Sequence, residues 1–321
     1  MATTTITKTD LPTQPTTLYY YLEPKDGGQI QTYPGTAAEK RRKHVPHHVQ
    51  VEDMRSIRSQ FTLEKTGFEL IDHVSKEKEF LDEKQITSVY YPEVEELIKK
   101  KTGATKVHVV SHMCRRHTTA DSKSDAEGKP DTDYVTLNNP ARFVHVDQSY
   151  RGAEQILYLN MPEEEADRLT KTRWGIINVW QPFGKPVTRD PLALCDYRTV
   201  DENDFRTVVA NLPPPGAGHY GNVSKNFKSK GKWEYSTNGD DAARYEVANM
   251  AYNKNQQFYY ADKMTPDEAW LFKIFDSKKD GRARCAVHSS FPLEDQPEQG
   301  EARTSVEVRC FVFWEDDDQV E

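Results

Sequence analysis

The chain has 321 residues, 43 Lys+Arg against 51 Asp+Glu for a formal charge of −8, and 36% hydrophobic residues. Mean hydropathy is low at −0.84, yet 5 Trp, 16 Tyr and 13 Phe supply a real core, which excludes a disordered chain. The acidic balance weighs against wrapping nucleic acid, no run of ~18 apolar residues is present to span a membrane, and four dispersed cysteines (Cys114, Cys195, Cys285, Cys310) without CxxC spacing read as buried thiols.

Residues 1–40 mix Thr, Pro, Gly and Lys without periodicity and predict a flexible N-terminal arm, which leaves room for a homodimer. Met1 to Asp10 has no apolar h-region, so no secretory signal is expected and the expected location is the cytoplasm. The basic run Lys40-Arg41-Arg42-Lys43 reads as a solvated flank. A single domain is expected over 41–321, beginning with a helical preface at 60–135. Within it, Pro92 near a helix start, Glu93, Glu95 and Glu96 in the first turns, Lys99 to Lys101 in the last and Gly103 beyond are ordered as the helix dipole favours. Residues 105–114 then read as a strand.

From residue 139 onward β signals dominate, at 142–148, 174–180, 258–260, 271–275, 283–289 and 305–314. A helix opened by Pro162 separates the first two. Residues 196–255 are a long polar stretch interrupted by Pro213-Pro214-Pro215, and predict a lid-like insertion between two parts of a β core at 140–195 and 256–314. The expected fold is mainly β with flanking helices, on a double-stranded β-helix (jelly-roll or cupin-type) core whose mouth takes a ligand.

The sharpest chemical signal is Phe143-Val144-His145-Val146-Asp147-Gln148. Alternate strand residues share a face, so His145 and Asp147 project together, two-thirds of a facial metal triad. A second histidine, His288, lies on a later predicted strand, and Arg303 opens the next one, where a planar guanidinium suits a carboxylate. Two His and one carboxylate take one face of octahedral Fe(II). A 2-oxoacid and O2 fill the open positions, and the Arg holds the distal carboxylate of the co-substrate.

Other patterns are weaker. Gly216-Ala217-Gly218-His219-Tyr220-Gly221 matches GxGxxG, but prolines precede it where a strand belongs, so it reads as a loop and gives little support to an S-adenosylmethionine-dependent methyltransferase. His108, His112 and Cys114 would share a strand face, and with His117 they read as a polar strand near the pocket. Trp174, Trp180 and Trp233 read as core or pocket wall. Lys225, Lys228, Lys230 and Lys232 read as a solvated loop.

The segments Thr66-Gly67-Phe68-Glu69-Leu70, Val89-Tyr90-Tyr91-Pro92-Glu93-Val94-Glu95, Thr102-Gly103-Ala104-Thr105, Pro140-Ala141-Arg142-Phe143-Val144-His145-Val146-Asp147, Gly175-Ile176-Ile177-Asn178-Val179-Trp180 and Met264-Thr265-Pro266-Asp267, together with residues 303–314, carry a resemblance over roughly residues 60–314. The chain resembles the fungal AsaB-type hydroxylase/desaturase family, with gibberellin-desaturase-like and CmcJ-like relatives. The resemblance implies an Fe(II)- and 2-oxoglutarate-dependent oxygenase that hydroxylates, desaturates or cyclises a small metabolite in fungal secondary metabolism. It carries His145, Asp147 and His288 over as metal ligands and Arg303 as the 2-oxoglutarate anchor, with Arg309 as alternative anchor and Asn178 as a further co-substrate contact. Trp180, Gln181, His112 and Arg142 are the expected substrate contacts. The family commonly has Arg where this chain has Gln181. A non-catalytic cupin-like binding protein is the remaining reading.

Overall fold

The structure, a computed structural model, describes residues 11–212, 244–297 and 300–318. In chain order the strands are β1 (Thr13–Tyr21), β2 (Gln31–Thr32), β3 (His44–Asp53), β4 (Phe68–Asp72), β5 (Lys106–Arg115), β6 (His145–Val146), β7 (Thr172–Pro182), β8 (Leu192–Cys195), β9 (Phe205–Asn211), β10 (Arg244–Met250), β11 (Phe258–Tyr260), β12 (Glu268–Asp276), β13 (His288–Ser290) and β14 (Ser305–Asp318). The α-helices are α1 (Ala37–Lys40), α2 (Glu83–Gln85), α3 (Tyr91–Thr102), α4 (Thr119–Ala126), α5 (Tyr150–Asn160) and α6 (Glu163–Leu169).

The strands form a nine-stranded sheet in the order β1-β3-β11-β8-β13-β6-β10-β9-β2 and a five-stranded sheet in the order β4-β12-β7-β14-β5. Strand parity builds the core between them. Trp174, Ile176 and Trp180 of β7 and Trp270, Phe272 and Ile274 of β12 join Leu18, Val51, Val146 and Leu194 of the larger sheet in one buried cluster. The alternate residues Ile177, Val179 and Leu271 face the other way, where Val94 and Ile98 of α3 cover them. The smaller sheet is therefore buried on both faces, and the fold is the expected cupin-type jelly roll.

Helix α3 has Pro92 in its first turn, lysines in its last and Gly103 as a left-handed cap, as its sequence predicts. Helix α5 has no counterpart in the sequence reading. Ser149 caps it by accepting from the Gly152 N–H at 2.9 Å, and Ala153, Ile156 and Leu157 are buried. A Cβ on Gly152 would lie 1.8 Å from the Glu246 carbonyl oxygen, so a glycine is what lets α5 approach β10.

Several expectations are corrected. The N-terminal stretch is no loose arm from Thr13 onward, because β1 pairs antiparallel with β3 from Thr13↔Glu52 to Tyr21↔His44 and buries Leu18 and Tyr20. That removes the premise on which a dimer was expected. The helical preface contains β4 and β5, both in the smaller sheet. The insertion contributes core strands, since β9 and β10 pair along their lengths and β10 pairs with β6. The GxGxxG segment, the four loop lysines and Trp233 lie outside the described residues. The strands expected at 142–148 and 283–289 shorten to β6 and β13, because Val144 N–H and Ala286 N–H bond outside the neighbouring ladders, to Tyr19 and Lys273 carbonyls. Cys195, Cys285 and Cys310 are buried free thiols and Cys114 is half-buried. No helix among the described residues is long and apolar enough to cross a membrane.

Candidate metal centre

Strands β6 and β13 are neighbours, and His145 stands opposite His288 in their register. Opposed residues project on one face, which brings the two rings to 4.3 Å between centroids. Asp147, two residues beyond His145, returns to the same side. Its Oδ1 lies 3.4 Å from His145 Nε2 and 3.6 Å from His288 Nε2. The ligand atoms of all three residues fall within 4.8 Å of one another.

Each imidazole is held by the carbonyl two residues before it. His145 Nδ1 donates to Phe143 O at 2.8 Å, and His288 Nδ1 donates to Ala286 O at 3.0 Å. With the proton on Nδ1, both Nε2 lone pairs point at Asp147 and the space between, as metal-ligating histidines require. Burial lowers His145, whose neighbour His288 adds to the effect. Burial also opposes charge on Asp147, but Arg309 and the two imidazoles outweigh it and hold the carboxyl well below its usual range. Burial works against charge on His288 as well, but Asp147 outweighs it and raises that imidazole. The donor set, two imidazoles and one ionised carboxylate on one side, suits a divalent ion with open positions.

Asp147 Oδ2 is taken up elsewhere. Arg309 Nη2 donates to it at 2.7 Å and Asn178 Nδ2 at 2.9 Å, and the same Asn178 nitrogen donates to Glu307 Oε1 at 2.6 Å. Arg309 is thus engaged with the candidate ligand. Arg303 is different. It is 4% exposed and its Nη1 donates to the Asp190 carbonyl oxygen, with Ser290 Oγ at 3.5 Å. Its guanidinium lies 5.0 Å from the Trp180 ring centroid, and its Nε has no partner among the described residues. Burial pushes it down to about 9, with nearby Asp190 opposing. Ser305 Oγ, two residues on, is likewise buried without a partner.

A cavity of about 430 Å³ opens onto His145, Asp147, Asn178, Glu307 and Arg309. Arg142 lines it too, with two bonds to Asp190 Oδ1 at 2.5 and 2.9 Å. Of the other expected substrate contacts, Trp180 and Gln181 are corrected, while His112 stays at the cavity. Trp180 is buried beneath Arg303 and is not part of the cavity wall. Gln181 has the opposite parity on β7 and spends its amide on the far face, accepting from Tyr90 OH and donating to the carbonyls of His73 and Pro266. His112 borders the cavity, but its Nδ1 bonds Tyr91 OH of α3 at 2.8 Å. His108 does not share its face. The register of β5 on β14 shifts between Ser111↔Arg309 and Val109↔Cys310, and this bulge at Val110 turns His108 toward Phe311 while His112 and Cys114 stay opposite Val308 and Val306. Glu307 and Arg115 were missed. Ser305, Glu307 and Arg309 alternate along β14, and Arg115 stands opposite Ser305, so parity from Arg303 was the available signal.

A family profile described as "Oxidoreductase/YMDC permease-like domain" matches residues 18–313. The chain is 42% identical over 303 residues to "Hydroxylase/desaturase CTB9" of Cercospora beticola, covering 92% of this chain and 86% of that one. It is 40% identical to "Hydroxylase/desaturase efuI" of Hormonema carpetanum, over 96% and 97% of the two chains. Among solved structures, a chain described as "iron and alpha-ketoglutarate-dependent endoperoxidase NvfI" superposes with a TM-score of 0.66 at 24% identity, over 94% of this chain and 98% of that one, which is a likeness of fold. Identity at this level over nearly the whole chain makes the protein a member of the fungal hydroxylase/desaturase family of oxidoreductases.

Proposed function

We propose that the protein is an Fe(II)- and 2-oxoglutarate-dependent oxygenase acting on a small metabolite. In this reading His145, Asp147 and His288 hold the iron, and Arg303 anchors the distal carboxylate of 2-oxoglutarate. The observation that carries it is the convergence of two Nε2 atoms and one carboxylate oxygen within 4.8 Å, with each Nδ1 tied to its own backbone. A relative at 32% identity over 92% of this chain is described as "Alpha-ketoglutarate-dependent dioxygenase phiK", which supports the same reading.

Arg303 is preferred to Arg309 as anchor because Arg309 is already ion-paired with Asp147, whereas among the described residues Arg303 hydrogen-bonds a carbonyl and a hydroxyl and has no carboxylate in ion-pair contact. A buried guanidinium without a carboxylate is costly alone and is relieved by an anionic ligand. Ser305 Oγ, two residues on at the start of β14, adds a donor. When bound, iron and the 2-oxoacid supply O2 activation and oxidative decarboxylation to succinate and CO2. The protein orients both groups, keeps Asp147 ionised and offers the cavity to the substrate, with Arg142 in its wall. Whether the outcome is hydroxylation, desaturation or cyclisation is set by where that cavity places the reacting carbon. The substrate is a small molecule in this reading, with no nucleic acid, and the setting is the cytoplasm of a fungal secondary-metabolite producer.

The test is anaerobic protein given Fe(II) and 2-oxoglutarate, then O2. Wild type is expected to consume the co-substrate, and Asp147→Ala to lose both metal and turnover. An Asp147→Ala protein that binds iron and turns over normally contradicts the assignment.

A further inference from the structure

Asn178 is fully buried on β7, directly opposite Arg309 of β14 in the register. Both of its close polar neighbours, Asp147 Oδ2 and Glu307 Oε1, are acceptors, so only the NH2 end of the amide can face them. Its Oδ1 is correspondingly buried with no partner among the described residues. One nitrogen joins the two carboxylates, so Glu307 stands no farther from Asp147 than two hydrogen bonds laid end to end. Glu307 also lines the cavity and is among the charges that act on His288. A second carboxylate this close to two imidazoles and Asp147 is a competing oxygen donor for any divalent ion at the triad.

We propose that Asn178 and Arg309 are positioning residues that keep the metal centre open. Together they hold Asp147 Oδ2, which leaves Oδ1 as its single ligating oxygen, and Asn178 also ties Glu307 back so that it does not become a fourth protein ligand. The inference rests on the metal-site reading above. It reassigns both residues from direct co-substrate contacts to control of how many positions remain for the two oxygens of a 2-oxoacid. Geometry supports a division of labour: Arg309 acts on Asp147, whereas the amide acts on both carboxylates.

The experiment uses Co(II) as a spectroscopic stand-in for iron, with full-length protein and 2-oxoglutarate as the added ligand. Asn178→Leu is expected to bind Co(II), to show an altered visible ligand-field spectrum, and to bind 2-oxoglutarate at least about tenfold more weakly, the lower range for loss of an outer-shell partner. Adding Glu307→Gln is expected to restore both spectrum and co-substrate affinity, because the competing carboxylate is gone while Arg309 still holds Asp147. A merely structural role for Asn178 predicts no such rescue. If the leucine variant does not fold, Asn178→Ala is read in the same way. Unchanged 2-oxoglutarate binding, loss of Co(II) binding by the folded variant, or failure of Glu307→Gln to rescue overturns the proposal. Asp147→Ala separates it from its premise. Retained Co(II) binding there refutes the site itself, whereas lost Co(II) binding together with an unaltered Asn178→Leu refutes only the positioning role.

Discussion

Replacing Arg303 by methionine keeps the aliphatic stem over Trp180 and removes the guanidinium. In the wild type that group is 4% exposed, donates to a backbone carbonyl, and has an unpartnered Nε. If it grips a carboxylate through two charge-assisted bonds, each contributes about 1.5–3 kcal/mol, so the loss is about 3–6 kcal/mol. At 1.4 kcal/mol per tenfold, that corresponds to a rise of about 10²–10⁴ in the dissociation constant for 2-oxoglutarate. The unliganded protein is expected to melt no lower than wild type, because a buried cation without a carboxylate partner is removed rather than half of an ion pair. Co(II) affinity is expected to stay within a few-fold. Arg303→Lys is expected to recover little, since an ammonium cannot form the paired fork. The assays are calorimetric titration of 2-oxoglutarate into Co(II)-loaded protein and a thermal melt without ligand. Unchanged co-substrate affinity, with the fold intact, would refute the anchor. A large drop in stability would show that Arg303 is part of the scaffold instead.

Further outcomes follow from packing and charge. Gly152→Ala places a Cβ against the Glu246 carbonyl and is expected to lower unfolding free energy by at least about 1–3 kcal/mol, measured by urea denaturation. Lys273, 1% exposed and bonded to Glu64, Asp276 and the Ala283 carbonyl, is expected to cost about 3–5 kcal/mol when replaced by methionine, because Asp276 stays buried with one cation fewer. His44 is held down to about 4, mainly by burial, against an ordinary 6.5. Its folded form therefore binds fewer protons than the unfolded chain between those values, so its contribution to stability is present above pH 6.5 and is lost as pH falls toward 4. Denaturant midpoints across that range should fall less steeply in His44→Gln; an identical slope would mean that His44 is not the group involved.

The triad was legible because its signal is local. His145 and Asp147 are two apart in extended chain, and period two alone puts them on one side, while His288 opens β13 and Arg303 precedes β14 in the required order. What brings His145 opposite His288 is the pairing of β6 with β13, which no local pattern encodes. Parity along β7 already separates Gln181 from Asn178 and Trp180, so one side of that group had to face away from the cavity. The face expected to be shared by His108, His112 and Cys114 is broken because a single unpaired residue, Val110, reverses the alternation of β5 part-way along. Arg309 was placed on the correct face, but its partner was invisible, since the pairing with Asp147 spans 162 positions. The arm and the insertion read as polar, yet β1 buries Leu18 and Tyr20, β9 buries Val208 and Ala210, and β10 buries Tyr245, Ala248 and Met250.

The central claim is tested most directly by succinate formation. Protein freed of metal and reloaded with Fe(II) should convert 2-oxoglutarate to succinate and CO2 in the presence of O2, at a slow uncoupled rate without substrate. Zn(II)-loaded protein and Fe(II)-treated His288→Ala should give none. Fe(II)-loaded wild type that forms no succinate, or a His288→Ala variant that forms as much as wild type, would contradict the account.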